Sequence, residues 1–260
     1  YYYIYRLLAI NRKSDTEMDD NNLTERETWR EYWSNHKLES VPAHPFYKRY
    51  LPEIPATAKF IEIGGFPGYN AGFFHKNVCR DVSILDFHID TEIVRRLEQA
   101  NGMQVGTIKT FEADFFASKP VSEETFGVVF SIGFVEHFQD TEDVVARHVE
   151  LLEKDGWLVM ILPNFRGLNG WLQYLFDRKN LAMHNLDSMR LERLRACCEC
   201  LDLKDVKVEY TRRPMLWLEP KDTVLNRIGR FLVKGLSYFL KLFPFKGRLL
   251  SPYMIVVARK

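Results

Sequence analysis

Short apolar runs alternate with helical patterns from residue 59 onward. Runs of six to eight residues, rich in β-branched and aromatic side chains, predict strands at 59–65, 81–87, 107–114, 126–133, 157–163, 205–210 and 253–260. Most of them contain consecutive apolar residues, as strands covered by helices on both faces do. Apolar residues at helical spacing predict helices within 91–102, 135–156 and 189–203. This alternation predicts an α/β fold with a doubly wound sheet.

The residues before this core, 1–58, are predicted to form a separate helical segment. Within 24–36, Trp29, Tyr32 and Trp33 lie on one helical side. Such an aromatic helix would either close over a pocket as a lid or pack on the core. The first ten residues are apolar but lack the features of a signal peptide and are too short to span a membrane.

About forty residues, 211–252, separate the predicted sixth and seventh strands. Apolar side chains recur there at helical spacing, with Arg227, Arg230 and Lys234 on the other side. Residues 221–260 contain nine Lys or Arg and one acid, although the whole chain has a net charge of only +1. A basic amphipathic helix is typical of membrane-surface segments, but also of helices on a core or at a homodimer interface. Peripheral membrane contact through residues 222–243 and self-association therefore both remain open.

Composition narrows the class of protein. The chain is 46% hydrophobic and 27% charged over 260 residues, which excludes extended disorder. The excess of positive charge is confined to residues 221–260, which argues against a general nucleic-acid binder. Cys79 stands alone, and the bunched Cys197, Cys198 and Cys200 match neither a disulfide framework nor paired zinc-ligand spacing. We therefore expect a cytoplasmic protein without a bound metal, with any membrane contact at the inner face, and cysteines that pack in the core.

A glycine-rich turn follows the first predicted strand. Glu62 precedes Gly64, Gly65 and Gly68 in the sequence EIGGFPG. Glycines at such a place allow a ligand to approach the backbone closely, and the next helix start offers free N–H groups. A tight connection without a ligand would also use glycine, so this turn alone is a weak signal.

Two aspartates strengthen the signal, because each lies where a strand is predicted to end at the same edge of the sheet. Asp86 follows Gly68 by 18 residues, where an acid can accept hydrogen bonds from a ribose diol. Asp114 precedes Phe115, whose ring could flank a flat base. Either aspartate could instead cap a helix or a turn. Their order after the glycine turn favours a nucleotide-like ligand.

These motifs together resemble those of class I S-adenosylmethionine-dependent methyltransferases, over about residues 59–210 and 253–260. The turn resembles the family's acid-x-Gly-x-Gly-x-Gly motif, and the segment 131–138 resembles the one that closes the pocket after strand four. The resemblance implies a Rossmann-like sheet of seven strands with strand seven antiparallel. It also implies that S-adenosylmethionine is held by Glu62, Gly64, Gly65, Gly68, Asp86, Asp114, Phe115 and Ser131, beneath the lid. Phe66 and Pro67 depart from the motif, and Pro67 removes a backbone donor.

Methyl transfer from a sulfonium needs alignment and water exclusion more than a covalent nucleophile. If the acceptor is a hydroxyl, a histidine could serve as base, and His137 and His184 are the candidates. Each could equally be structural. We expect O-methylation of a small-molecule, saccharide or lipid-linked acceptor. The alternative is a scaffold protein of the same fold without turnover, which binds a membrane or partner through its basic helix. The glycine spacing does not fit a dinucleotide-dependent dehydrogenase.

Overall fold

A computed structural model describes residues 40–212, 214–218, 224–240 and 246–260, apart from the side chains of 224–226. The predicted lid residues Trp29, Tyr32 and Trp33 lie outside these ranges, as does most of the segment 1–58 to which they belong. The described end of that segment contains a short 3₁₀ helix, Phe46–Tyr50. Its Tyr47 is buried against the main domain.

A seven-stranded sheet forms the centre of the protein, in the order β3-β2-β1-β4-β5-β7-β6. Strands β1 to β5 are parallel, and β7 runs antiparallel to both β5 and β6. All seven predicted strands and the antiparallel seventh strand are confirmed. The strands are β1 (Lys59–Ile63), β2 (Asp81–Asp86), β3 (Ile108–Glu112), β4 (Phe126–Ile132), β5 (Leu152–Pro163), β6 (Lys204–Tyr210) and β7 (Tyr253–Arg259).

Helices cover both faces of the sheet, which explains why the strands are apolar at successive positions. On β1, Phe60 packs in one buried cluster and Ile61 in the cluster on the opposite face. α1 and α2 cover the Phe60 face, while α3 and α6 cover the Ile61 face. The helices are α1 (Tyr69–Asn77), α2 (Thr91–Ala100), α3 (Thr141–Glu150), α4 (Leu168–Phe176), α5 (Arg178–Ala182), α6 (Leu191–Cys200) and α7 (Val224–Leu240).

The structure corrects the predicted helix over 135–156. This stretch contains a 3₁₀ turn, Val135–His137, and then α3, which begins where the Asp140 side chain accepts the Asp143 N–H at 3.0 Å. Residues from Leu152 onward belong to β5, which starts five residues earlier than predicted. The main chain of Lys260 pairs there with Asp155 and Gly156, at 3.1 and 3.0 Å. Long-range pairing with the end of the chain thus overrides a local helical pattern.

The insertion 211–252 contains α7, which packs on a small third cluster with α4. Val233 joins Leu172, Leu216 and Leu218 in this cluster. The inward positions of α7 are Gly229, Val233 and Ser237, whereas most of its large apolar side chains are exposed. Among the described residues, no helix is long and apolar enough to cross a membrane.

Candidate active site

A cavity of about 630 Å³ opens at the carboxyl ends of β1 to β4. The strand order reverses between β1 and β4, and in doubly wound sheets this is where ligands bind. The volume lies within the range of small-molecule sites. Five of the predicted site residues line the cavity, namely Gly64, Asp86, Asp114, Phe115 and His137.

The glycine turn is folded tightly between β1 and α1. The Gly64 N–H donates to the Leu85 carbonyl at 2.8 Å, and the Gly68 N–H donates to the Gly65 carbonyl at 2.7 Å. Gly64 has φ +66° and Gly68 has φ +106°, both in the region that favours glycine. A Cβ at Gly64 would lie 2.6 Å from the Phe134 ring, so this ring contacts the bare backbone. Phe134 also lines the cavity.

The departure at Phe66 and Pro67 leaves the turn intact. The Phe66 side chain is buried in the core on the α1 side, and its N–H donates to Asp86 Oδ2 at 3.2 Å. Pro67 forms a cis peptide bond with Phe66 inside the turn. Phe66 therefore replaces the missing glycine with a side chain that packs in the core. Its own backbone N–H remains available and donates to Asp86.

Asp86 lies at the carboxyl end of β2, at the edge of the cavity. Besides the Phe66 N–H, it accepts the His88 N–H on Oδ1 at 3.5 Å. Burial raises the pKa of its carboxyl to about 6, partly offset by these backbone hydrogen bonds. A carboxylate that faces a cavity and keeps acceptor capacity can bind the hydroxyl groups of a ligand.

Glu62 lies behind the cavity and organises the start of α1. Its Oε1 accepts the Asn70 amide at 2.6 Å, and Asn70 in turn accepts the Tyr47 hydroxyl at 2.6 Å. Its Oε2 has no hydrogen-bond partner among the described residues. Burial raises the pKa of Glu62 to about 8, with the Asn70 hydrogen bond acting in the opposite direction. Sequence reasoning missed Asn70 and Tyr47, because nothing in their local pattern indicates a polar network.

Three other predicted cofactor residues lie behind the cavity wall that the described residues form. Gly65 packs against Glu62, where a Cβ would lie 2.8 Å from the glutamate Cγ. Gly68 begins α1 and accepts the Gly72 N–H at 2.8 Å. The Ser131 hydroxyl is buried and bonds to His148 Nε2 at 3.1 Å. These residues shape the site from behind the wall.

Asp114 lies in an exposed loop beyond β3, not at its end as predicted. Its side chain accepts the Phe116 N–H at 2.9 Å, so it also stabilises a turn. The neighbouring Phe115 is buried, with its ring 5.3 Å from that of Phe134 in an edge-to-face arrangement. Phe138 extends the aromatic wall, with its ring 4.9 Å from Phe134. The cavity thus combines acidic groups at one edge with an aromatic side.

The two candidate bases lie side by side. The ring centroids of His137 and His184 are 4.8 Å apart, both side chains are buried, and only His137 lines the cavity. Burial lowers the pKa of His184 to about 4 and holds the pKa of His137 well below its usual value, where His184 acts in the same direction. Both rings are therefore neutral near pH 7. Glu136, which sequence reasoning did not single out, is fully buried beside His137.

Comparisons with known proteins agree on one family. A family model described as a methyltransferase domain matches residues 32–208. A search of curated proteins gives no match. Among solved structures, the chain is similar to a SAM-dependent methyltransferase from Archaeoglobus fulgidus, with 17% identity, a TM-score of 0.53, and coverage of 82% of this chain and 91% of that one. It is also similar to one from Mesorhizobium loti, with 14% identity, a TM-score of 0.54, and 82% and 95% coverage.

A third similar structure contains a ligand. It is the Haemonchus contortus phosphoethanolamine N-methyltransferase 2 in complex with S-adenosyl-L-methionine, at 16% identity and a TM-score of 0.51. The match covers 83% of this chain but only 51% of that protein. At such identities the structural likeness establishes the fold.

Proposed function

Because the chain belongs to the methyltransferase domain family, we propose that its cavity binds S-adenosylmethionine and transfers the methyl group to the oxygen of a small or lipid-linked acceptor. The observation that carries this proposal is Asp86 at the edge of a 630 Å³ cavity, beside the glycine turn. Its carboxylate accepts one backbone N–H from Phe66 in the turn and one from His88, just after β2.

The groups around the cavity fit the chemistry of this cofactor. Asp86 would accept the ribose hydroxyls, while Phe115 would lie along the adenine with Asp114 at its rim. Gly64 would line the wall beside the methionine part, with Phe134 packed against its backbone, while Glu62, Gly65, Gly68 and Ser131 would shape the wall from behind. The predicted lid, Trp29, Tyr32 and Trp33, would close over the site.

The cofactor supplies a methyl group on a sulfonium that is already a good leaving group. The protein must then align the acceptor, exclude water and receive the acceptor's proton. His137 would receive it, since its ring is neutral near pH 7 and lies at the cavity wall. The aromatic side chains of Phe134 and Phe138 would exclude water from the same region.

Calorimetric titration with S-adenosylmethionine and S-adenosylhomocysteine tests the cofactor site. Asp86→Asn should weaken binding about tenfold or more, because hydrogen bonds to a charged group are worth about 1.5–3 kcal/mol. Asp81→Asn is the matched control: Asp81 starts the same strand at the opposite edge and pairs with Lys109 at 2.8 Å. Equal affinities of the two variants would remove Asp86 from the site. Absence of binding by the folded wild-type chain would favour the scaffold alternative.

We also propose that α7 contacts the surface of an anionic membrane at the cytoplasmic face. Its large apolar side chains point away from the core: Phe231 is 78% exposed, Leu232 63% and Phe239 56%. Arg227 and Lys234 are exposed on the same helix. On the adjoining α4, Trp171 and Tyr174 are 57% and 51% exposed. An outward apolar face flanked by basic residues and interfacial aromatics suits a helix that lies in the headgroup region.

Sedimentation with vesicles of neutral or anionic lipid tests this contact. Phe231→Ser with Leu232→Ser should reduce binding to anionic vesicles about tenfold or more, since each buried apolar side chain contributes about 1.5–3 kcal/mol. Val105→Ser, a change at a 50% exposed apolar residue in a loop, serves as control. If the double variant instead converts a dimer to a monomer and the wild type ignores vesicles, α7 is a self-association surface and the membrane proposal fails.

A further inference from the structure

Glu136, His137 and His184 form a buried cluster at the inner wall of the cavity. Each offers one potential ligand atom, and these atoms all lie within 4.8 Å of one another. Atoms bound to a single Zn²⁺ are about 3–4 Å apart, because each bond is about 2.0–2.2 Å long. Modest side-chain rotation would therefore bring the three groups around one ion.

The carboxylate of Glu136 is the sharpest feature of this cluster. The residue is 0% exposed, and neither carboxylate oxygen has a hydrogen-bond partner among the described residues. A buried polar group without a partner is costly, and an unpaired buried charge more so. Nearly all such groups in folded proteins are satisfied, so a buried carboxyl without a partner, within 4.8 Å of two imidazole nitrogens, is a candidate ligand. A cation at this point would satisfy it.

The histidine rings are already oriented as ligands. His184 Nδ1 lies 2.6 Å from the Asn180 carbonyl, which can only accept, so Nδ1 carries the proton and Nε2 the lone pair. His137 forms a hydrogen bond with the backbone of Met183. Backbone carbonyls hold metal-ligating histidines in the same way in many metalloproteins.

The two segments that carry the cluster are tied together by their backbones. The Asn185 N–H donates to the Glu136 carbonyl at 2.7 Å, and the Asn185 side chain donates to the Phe138 carbonyl at 3.0 Å. The Phe165 ring contacts His184 edge-on at 4.9 Å between centroids. The cluster is therefore held between two hydrogen-bonded segments, and His137 lines the cavity, from which an ion can enter.

We propose that Glu136, His137 and His184 bind a divalent transition metal ion of the Zn²⁺ class. Two imidazoles and one carboxylate match the ligand preference of such ions, whereas Mg²⁺ and Ca²⁺ prefer sets made only of oxygen. This proposal departs from the sequence-based expectation of a metal-free protein, which considered only cysteine spacing. The ligand set leaves a coordination position open, as catalytic sites do and structural sites do not.

The role of the ion rests on the proposed function, although the site itself does not. An acceptor hydroxyl in the cavity that reaches the ion would have its pKa lowered, so that its proton could leave to water as the oxygen attacks the methyl group. His137 would then hold the ion in place of accepting the proton. The ion would thereby favour O-methylation over methylation of a protonated amine.

Titration of the chelator-treated full chain with Zn²⁺, and with Co²⁺ as a spectroscopic probe, tests the site. We expect one equivalent to bind, with Co²⁺ giving visible bands of low-symmetry coordination. Glu136→Gln and His184→Ala should each weaken binding about tenfold or more. His75→Gln should not: His75 lies on α1, on the opposite face of the sheet, and bonds to the Arg80 carbonyl. Glu136→Gln preserves shape, so it remains informative if His184→Ala fails to fold.

Binding of S-adenosylmethionine is measured in the same samples. If the cofactor binds but neither metal does, or if both variants bind Co²⁺ with wild-type affinity and spectrum, the metal site is refuted while the methyltransferase proposal stands. If the metals bind as expected and the cofactor does not, the metal site stands and the proposed function fails.

Discussion

At the scale of single residues, Gly64 and Gly102 have the same positive φ but different surroundings. Both have φ +66°. A Cβ at Gly64 would lie 2.6 Å from Phe134, whereas one at Gly102 would meet no described atom within 4 Å. Gly102 follows the end of α2, and Gly64 belongs to the wall of the cavity. Comparing a substitution at Gly64 with one at Gly102 therefore separates the cost of the backbone conformation from the cost of displacing a neighbouring side chain.

We predict that Gly64→Ala destabilises the protein more than Gly102→Ala. The control should cost about 1–2 kcal/mol, the penalty of a side chain in the left-handed region. Gly64→Ala should cost at least about 1 kcal/mol more, because Phe134 must move out of its packed position. Urea unfolding measures both values. Equal losses would mean that Phe134 yields freely and is not a fixed part of the wall.

The residues of the site could be predicted only in part from sequence. The reason is that sequence does not show in which direction each side chain points. The positions of Asp86 and Gly64 follow from strand ends and from the conformational freedom of glycine. The sequence does not indicate that Ser131 faces His148, since a strand residue can point to either face. Likewise, Glu136 and His184 are 48 residues apart in the sequence. Their closeness depends on the path of the chain between them, which no local pattern encodes.

At the scale of elements, α2 is tied to the start of β3 by one buried side chain. Glu98 is 1% exposed and accepts two backbone N–H groups, from Gly106 at 2.9 Å and from Ile108 at 2.8 Å. These bonds satisfy donors at the entry of an outer strand of the sheet. The carboxylate thus takes the place of a neighbouring strand at the outer edge of β3, where the sheet ends.

We predict that Glu98→Gln lowers the free energy of unfolding by about 2–3 kcal/mol. Glutamine offers a single acceptor oxygen and places an amide N–H₂ against one of the two donors, which leaves that buried donor unsatisfied. Glu92→Gln on the same helix is the control, because Glu92 is exposed and pairs only with Arg95 among the described residues. The Glu92→Gln variant should lose less than about 1 kcal/mol of unfolding free energy. Chemical denaturation compares the variants, and similar losses in both would contradict the argument.

The positions of helices and strands along the chain follow from sequence more closely than the choice of which side of each helix is buried. The spacing in 211–252 predicts a helix, and α7 occupies its centre. Spacing leaves open whether the Phe and Leu side packs on a core or points outward; in the structure Gly229, Val233 and Ser237 face inward and Phe231 points out. Small residues allow close approach to α4, with Gly229 next to Phe176. Which side of a helix is buried depends on its neighbour's surface, and this information is not local.

At the scale of the whole molecule, the sheet divides the core into two buried clusters, one on each face. Glu62 is an acidic residue buried on one of these faces. Its neighbours there are Asn70, which donates to it, and the carboxylate of Asp86 and hydroxyl of Tyr47, which interact with it electrostatically. Burial is the main cause of its raised pKa. The stability of the entire domain is therefore linked to the protonation of one strand residue.

This linkage predicts that the contribution of Glu62 to the stability of the domain falls as pH rises from about 5 to about 8. The folded Glu62 keeps its proton up to a pKa of about 8, whereas the unfolded side chain releases it near 4.5. Between these values the folded state binds more protons, so the free energy of unfolding falls with pH by about 1.4 kcal/mol per unit for one proton. Above about pH 8 both states are ionised and the loss is complete. Glu62→Gln removes this contribution, while the amide oxygen of the new side chain can still accept from Asn70.

Urea unfolding of wild type and Glu62→Gln across that pH range isolates the effect, because all other titrating groups are common to both proteins. The variant should gain stability relative to wild type as pH rises, by roughly 1 kcal/mol or more per unit near neutrality. Glu92→Gln, at an exposed position, should keep a constant difference from wild type over the same range. Parallel pH profiles for wild type and Glu62→Gln would mean that Glu62 is ionised in the folded protein. In that case the hydrogen bonds from Asn70 and from the Ala71 backbone outweigh burial, and the cavity wall behind Asp86 carries a fixed negative charge.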